Sequence, residues 1–268
     1  MITLQHSLIS LLALDGNIKE FEKQIPYILF PDAIRKYTGN RSYSHFETST
    51  DGKDVSWIKF PKKINRVNQK QTDKLEKHLS NKLSNGIICE KTDLKTFEKI
   101  NKHLKAVPYA GIKKHLVQDD IFDEFIREKI DMSKRKEGKF YFQGNEMDGK
   151  EVRKLISEIE NYGVYILACI LYVKYGIITD QEWFDIHVRD VLKKEYKKEL
   201  AEATYSYMKI PEEMNKLIKE HKGCELQKGI LDFTEYLDMY KDVAKEMRKI
   251  DIEKSKKQKE EKEEYIEF

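Results

Sequence analysis

The chain reads as a mainly α-helical protein with a small β-hairpin or flap, and three observations carry that reading. Apolar residues recur at helical intervals in several segments, as Ile112, Leu116, Phe122 and Ile126 do within 111–126. Proline is scarce, with 5 residues in 268, while charged side chains make up 36% of the chain, a composition that favours helices with one solvated face. Against that background the alternation and glycines of the stretch 139–149 suggest a small hairpin or ordered flap. A chain of this length buries a sizeable core and has room for one or two domains.

Taken in order, residues 4–14 form a short apolar helix that carries His6. A turn at Asp15-Gly16-Asn17 leads to a short helix that ends near Pro26. The apolar run from Tyr27 closes at Pro31 and Asp32, where proline at a first helical position and an acid beside it suit a new helix start. Asp32 would then be a favourable charge at an N-terminus. His45 and Glu47 follow in Arg41-Ser-Tyr-Ser-His45-Phe-Glu47, and 48–54 carry turn chemistry. Residues 55–60 read as a strand or an irregular wall segment, with Trp57 and Phe60 as core or pocket lining. Two polar-faced helices come next, one over 67–83 with His78 and one capped by Asp93 with His103, and neither histidine is given a role.

Pro108 precedes the helix that carries His115 and Asp119, and the hairpin that follows is a candidate rim for whatever site that helix builds. Residues 151–175 read as one long helix buried in its second half. Asp180 starts another, running through Trp183, His187 and Asp190 to Tyr196 and beyond. Pro211 opens a helix ended by Gly223, and spaced apolar residues from Leu231 to Met247 make a last packed face. Beyond residue 252 lysine and glutamate alternate with almost no apolar face, as in a solvated helix or a frayed tail. The expected division is a helical domain over 1–207 and a C-terminal helical extension with a charged tail over 208–268.

Composition narrows the function classes. A net charge of +3 is small against 50 basic and 47 acidic side chains, so no bulk drive toward nucleic acid or membrane exists. No basic segment precedes the apolar 8–14 run and no small-residue cleavage site follows it, unlike a secretory signal. The apolar run 162–173 is cut by Lys174 and falls short of the roughly 20 residues a bilayer span needs, so a core helix without membrane insertion is expected. Cys89, Cys169 and Cys224 are widely separated and odd in number, which reads as reduced thiols and a cytoplasmic location. Neither a glycine-rich phosphate loop nor a G-x-S-x-G motif occurs, which leaves a serine or cysteine nucleophile with little support.

What remains is Gly111-Ile-Lys-Lys-His115-Leu-Val-Gln-Asp119. Four residues apart on a helix, His115 and Asp119 share one face. An imidazole and a carboxylate so placed chelate one divalent ion or bridge two, while the plainer reading is a surface histidine with an acid partner. Upstream stand His6, apolar-Pro31-Asp32 and Ser44-His45-Phe46. This order resembles the zinc-dependent phospholipase C superfamily, whose relatives include single-strand-specific nucleases and many bacterial and phage proteins.

The resemblance spans about the first half of the chain. It implies a phospholipase C-like helical bundle in which Asp32, His45, His115 and Asp119 surround a common metal. Asp119 would bridge to a second ion, and His6 would belong to another metal of the cluster. Glu47 or Ser44 would orient the ligands, with Glu47 and Asp119 as candidate catalytic groups. Phe125 stands near where the family has a further histidine, and no His-x-x-x-Glu follows; His187 and Asp190 come nearest, with Asp123 and Glu124 as further candidates. The first residue is given no role, since no cleavage supplies a processed N-terminus. One or two ions are therefore expected, zinc first, with manganese or iron as alternatives. Such an ion lowers the pKa of bound water and acts as a Lewis acid on a phosphodiester. The substrate expected is a nucleotide or nucleic acid rather than a phospholipid. The alternative is a non-enzymatic phage or mobile-element interaction protein on the same fold, which binds a protein partner or a second copy through its C-terminal helices.

Overall fold

Helix α1 (Thr3–Ala13) is buried on every side, and the fold is arranged around it. A helix without a solvated face must satisfy each polar side chain from within the protein. Thr3 Oγ1 donates to Asp32 at 2.9 Å and Gln5 Nε2 to Tyr240 Oη at 3.0 Å. The hydroxyls of Ser7 and Ser10 donate to carbonyls four residues back, at 3.0 and 2.5 Å. The computed structural model from which these contacts come describes residues 1–38, 108–134, 137–196, 198–220 and 231–264.

Around α1 stand α2 (Ile18–Thr38), α3 (Pro108–Lys129), α4 (Gly149–Tyr175) and, near the C-terminus, α9 (Phe233–Glu264). Helices α2, α4 and α9 pack directly on α1, while α3 lies against α2 and α9. Their apolar faces merge into one core, in which Leu8, Ile28, Ile159, Phe122 and Val243 are buried together. The mainly α expectation holds: α-helices take up 76% of the described residues. The expected hairpin is also present, as β2 (Phe140–Phe142) and β3 (Asn145–Met147) in antiparallel register around Gln143 and Gly144. Both turn residues have positive φ, 49° and 82°, the twist that a two-residue hairpin loop demands. A third short strand, β1 (Ile130–Asp131), adds to β2.

Helix α2 departs from the sequence expectation. Instead of a short helix ending near Pro26 and a new start at Pro31, one helix runs through both prolines. An interior proline costs about 3 kcal/mol. Burial of Phe21, Ile25, Ile28, Leu29 and Phe30 on the same helix, at roughly 1.5–3 kcal/mol each, outweighs it. Tyr196 Oη donates to the Pro26 carbonyl and fastens this stretch. Asp32 is thus an interior residue of α2 and not a helix-start charge.

Helix α4 meets the expectation of one long helix and begins at a capping box. Asp148 accepts from the backbone N–H groups of Lys150 and Glu151, and Glu151 accepts from the Asp148 N–H. At 27 residues it is long and apolar enough to cross a bilayer, more than the 162–173 run alone suggests. Its apolar face is spent on α1 and α9: a Cβ on Gly163 would lie 2.3 Å from both Gln5 Nε2 and Tyr240 Oη. The segment after Asp180 is less regular than expected. Helix α5 (Gln181–Phe184) passes into a π-helical turn (Asp185–Arg189) and then α6 (Asp190–Glu195). The extended backbone at Tyr196 breaks it before α7 (Lys198–Tyr205). A short α8 (Glu212–Lys219) follows, and the charged segment beyond residue 252 continues α9 as helix to Glu264.

Candidate metal centre

Three helices bring the sequence-predicted residues to one point. Gly111 sets the approach of α3 to α2, because a Cβ there would lie 2.4 Å from Tyr27 Cβ and 2.9 Å from the Tyr27 carbonyl carbon. One turn further along α3 comes His115, and one turn beyond that Asp119. From α1 comes His6 and from α2 comes Asp32. One donor atom from each of His6, Asp32 and His115 lies within 4.8 Å of the others. His6 and His115 are fully buried, Asp119 is 1% exposed and Asp32 11%. The surface-histidine reading of His115 therefore fails.

Asp119 stands between the two imidazoles. Its Oδ1 is 3.3 Å from His6 Nε2, and its Oδ2 is 3.7 Å from His115 Nε2. Asp32 Oδ1 lies 4.0 Å from His115 Nε2, while its Oδ2 accepts from Thr3, which holds the carboxylate in place. The two rings stack with centroids 3.9 Å apart and planes at 20°.

The donor set fits a divalent ion. Ligand atoms about 2.0–2.2 Å from a tetrahedral ion are themselves about 3.3 Å apart, close to the spacings found. His6 Nε2 is buried, faces Asp119 and makes no hydrogen bond among the described residues. A buried nitrogen left this way costs free energy unless something accepts its lone pair. Carboxylates also gather in a desolvated place, a cost that a cation offsets.

Two neighbours escaped the sequence reading. Glu160, from α4, lies 3.7 Å from the Met1 amino group, and that amino group lies 3.2 Å from Asp119 Oδ1. Burial raises the Glu160 carboxyl above the ordinary carboxylate range, and Asp119 and Asp123 add to this, against the lowering effect of the Met1 amine and His6. The signal available for Glu160 was an acid on an otherwise apolar helix face, with Ile156 and Gly163 one turn either side. The Met1 amine, given no role from sequence, is part of the cluster's surroundings.

Other candidates lie elsewhere. His187 Nδ1 pairs with Glu22 Oε1 at 2.8 Å, and the π-helical turn spoils the shared face expected of His187 and Asp190. Strand β1 begins eleven residues past Asp119, on the order of 16 Å along the α3 axis, and the hairpin of β2 and β3 follows it. His45 and Glu47 lie outside the described residues, as do Ser44, Trp57, Phe60, His78 and His103. Compared with protein-family models, with curated proteins and with solved structures, the chain matches none.

Proposed function

We propose that the chain is a divalent-metal-dependent phosphodiester hydrolase, acting on a nucleotide or nucleic acid rather than a phospholipid. The observation that supports this most is the meeting of His6, Asp32, His115 and Asp119, far apart in sequence, at one buried point. Their order along the chain resembles the zinc-dependent phospholipase C superfamily, which motivates the reaction class. A bound zinc-type ion supplies Lewis-acid charge and a nucleophile at neutral pH, and manganese or iron would serve the same donors.

The chain's own residues hold and orient. His6 and His115 offer Nε2, Asp119 directs one oxygen toward each ring, and Asp32 offers Oδ1 while Thr3 holds its other oxygen. Glu160, half-buried, shares the Met1 amine with Asp119 as a carboxyl able to hold a proton near the reacting group. His45 and Glu47 complete the proposed ligand and catalytic set on the motif alone. The preference for a nucleotide or nucleic acid follows from the proposed cytoplasmic location.

Purified protein supplied with zinc or manganese should hydrolyse an aryl phosphodiester, and a chelator should stop it. Metal-loaded protein that cleaves no phosphodiester, nucleotide or nucleic acid in a broad panel would favour the interaction-protein reading. The feature behind that second reading is α9, whose charged end continues as helix to Glu264.

A further inference from the structure

The hydrogen bonds behind His6 decide how that ring faces the centre. Gln118 precedes Asp119 on α3 and is fully buried. Its Nε2 lies 3.1 Å from Ser10 Oγ and 3.2 Å from Met247 Sδ, and its Oε1 lies 2.6 Å from His6 Nδ1. Ser10 has one hydroxyl hydrogen and gives it to the His6 carbonyl. Toward Gln118 its oxygen can therefore only accept, and a thioether sulfur likewise only accepts. With acceptors on that side, the carboxamide NH2 must face them and the carbonyl must face His6.

A carbonyl cannot donate. His6 Nδ1 must then carry the hydrogen, and the neutral ring keeps its lone pair on Nε2, the atom beside Asp119. Three helices take part: α1 supplies His6 and Ser10, α3 supplies Gln118, and α9 supplies Met247. A residue with no contact to the reacting atoms thus selects which histidine nitrogen is offered.

We propose that Gln118 is a positioning residue that locks His6 in the Nδ1-protonated tautomer and so presents Nε2 to a divalent cation. The consequence for affinity rests on the metal-centre reading; the tautomer does not. Partners of this kind typically alter metal affinity about 10–100-fold. Gln118→Met keeps the volume and removes the acceptor. Gln118→Glu keeps an acceptor for Nδ1–H, and as a buried neutral carboxyl it gives Ser10 Oγ the hydrogen that the amide gave, which makes it the conservative rescue.

The test uses the full chain with ¹⁵N-labelled histidine. The tautomer of His6 is read by NMR in chelator-treated protein at a pH well above the ordinary histidine range, and zinc affinity is read by chelator competition. Wild type should show a protonated Nδ1 and a bare Nε2. Gln118→Met should mix the tautomers and weaken zinc binding at least about tenfold, while Gln118→Glu should bind zinc about as wild type does. A His6 in wild type protonated at Nε2 would overturn the proposal, even if Gln118→Met does not fold. So would an unchanged tautomer in folded Gln118→Met, or a Gln118→Glu as impaired in zinc binding as Gln118→Met. Wild type that binds no zinc would remove the metal-centre reading instead, and the tautomer would then decide the role of Gln118 alone.

Discussion

Two polar groups in this molecule, one half-buried around Gln181 and one buried around His6, are built to opposite rules. Around Gln181, donors and acceptors match: its backbone N–H donates to Asn215 Oδ1 at 2.8 Å and its Oε1 accepts from the Ile210 N–H at 2.8 Å. Its Nε2 donates to Tyr205 Oη and, at 3.1 Å, to Asp185 Oδ1. That network fastens the irregular π-turn region to the segments after α7 and needs nothing from outside. Around His6 the facing atoms are carboxylate oxygens and a buried imidazole nitrogen that makes no hydrogen bond among the described residues, with the Met1 amine 3.2 Å from Asp119 Oδ1. A matched set of donors and acceptors therefore does not mark a functional site, whereas buried imidazoles and carboxylates converging from three helices point to one, because a cation offsets their desolvation.

The comparison can be broken most sharply at the ligands. His115→Ala or Asp119→Asn should weaken zinc binding by more than about 100-fold, beyond the loss expected for a supporting residue. In wild type, zinc at a hundredfold excess over Kd should add about 2.7 kcal/mol of stability. Neither variant should gain it, and Asp119→Asn should itself lower the stability of the metal-free protein, since it removes the carboxylate charge that the Met1 amine meets at 3.2 Å. Paired thermal melts with and without zinc check all three statements.

Next in size is the approach of α3 to α2. Gly111→Ala drives a Cβ into the Tyr27 backbone and should cost about 3 kcal/mol or more, above the usual overpacking range of 1–3. Because the displaced helix carries His115 and Asp119, zinc affinity should fall with it, as denaturant titration and chelator competition would show. Gln181→Ala sharpens the other side of the comparison. It leaves the Ile210 N–H without its acceptor and should cost about 1–3 kcal/mol, equally with and without zinc.

The smallest effect belongs to the exposed cap of α4. The backbone N–H groups of Glu151 and Lys150 hold the Asp148 carboxyl below the ordinary carboxylate range. A lowered value in the folded state means that the cap stabilises above that range and that its contribution disappears as pH falls through the lowered value. Asp148→Ala should therefore lower Tm at neutral pH, and the gap to wild type should close in acid.

How much of this was legible in the sequence varied with the range of the forces involved. The face shared by His115 and Asp119 was readable from helical spacing, while His6 and Asp32 entered the set through the resemblance of the motif order to the phospholipase C superfamily. The hairpin was readable from the alternation and glycines of 139–149, a short-range signal. The continuity of α2 was not, since Pro26 and Pro31 are local breakers and the burial that overrides them is tertiary. The π-helical turn left no readable mark. Glu160 was hidden because an acid on an apolar helix face looks like ordinary amphipathic noise until the neighbouring helices are in place. Gln118 was hidden for a similar reason: its partners Ser10, His6 and Met247 come from the two ends of the chain.

The central claim is that the buried meeting of His6, Asp32, His115 and Asp119 holds a metal ion, and one calorimetric titration tests it most directly. Zinc is added to chelator-treated full-length protein, with His115→Ala in a parallel cell. Saturable, near-stoichiometric binding by wild type that disappears in His115→Ala is the predicted result. No binding by wild type, or equal binding by the variant, would contradict the claim.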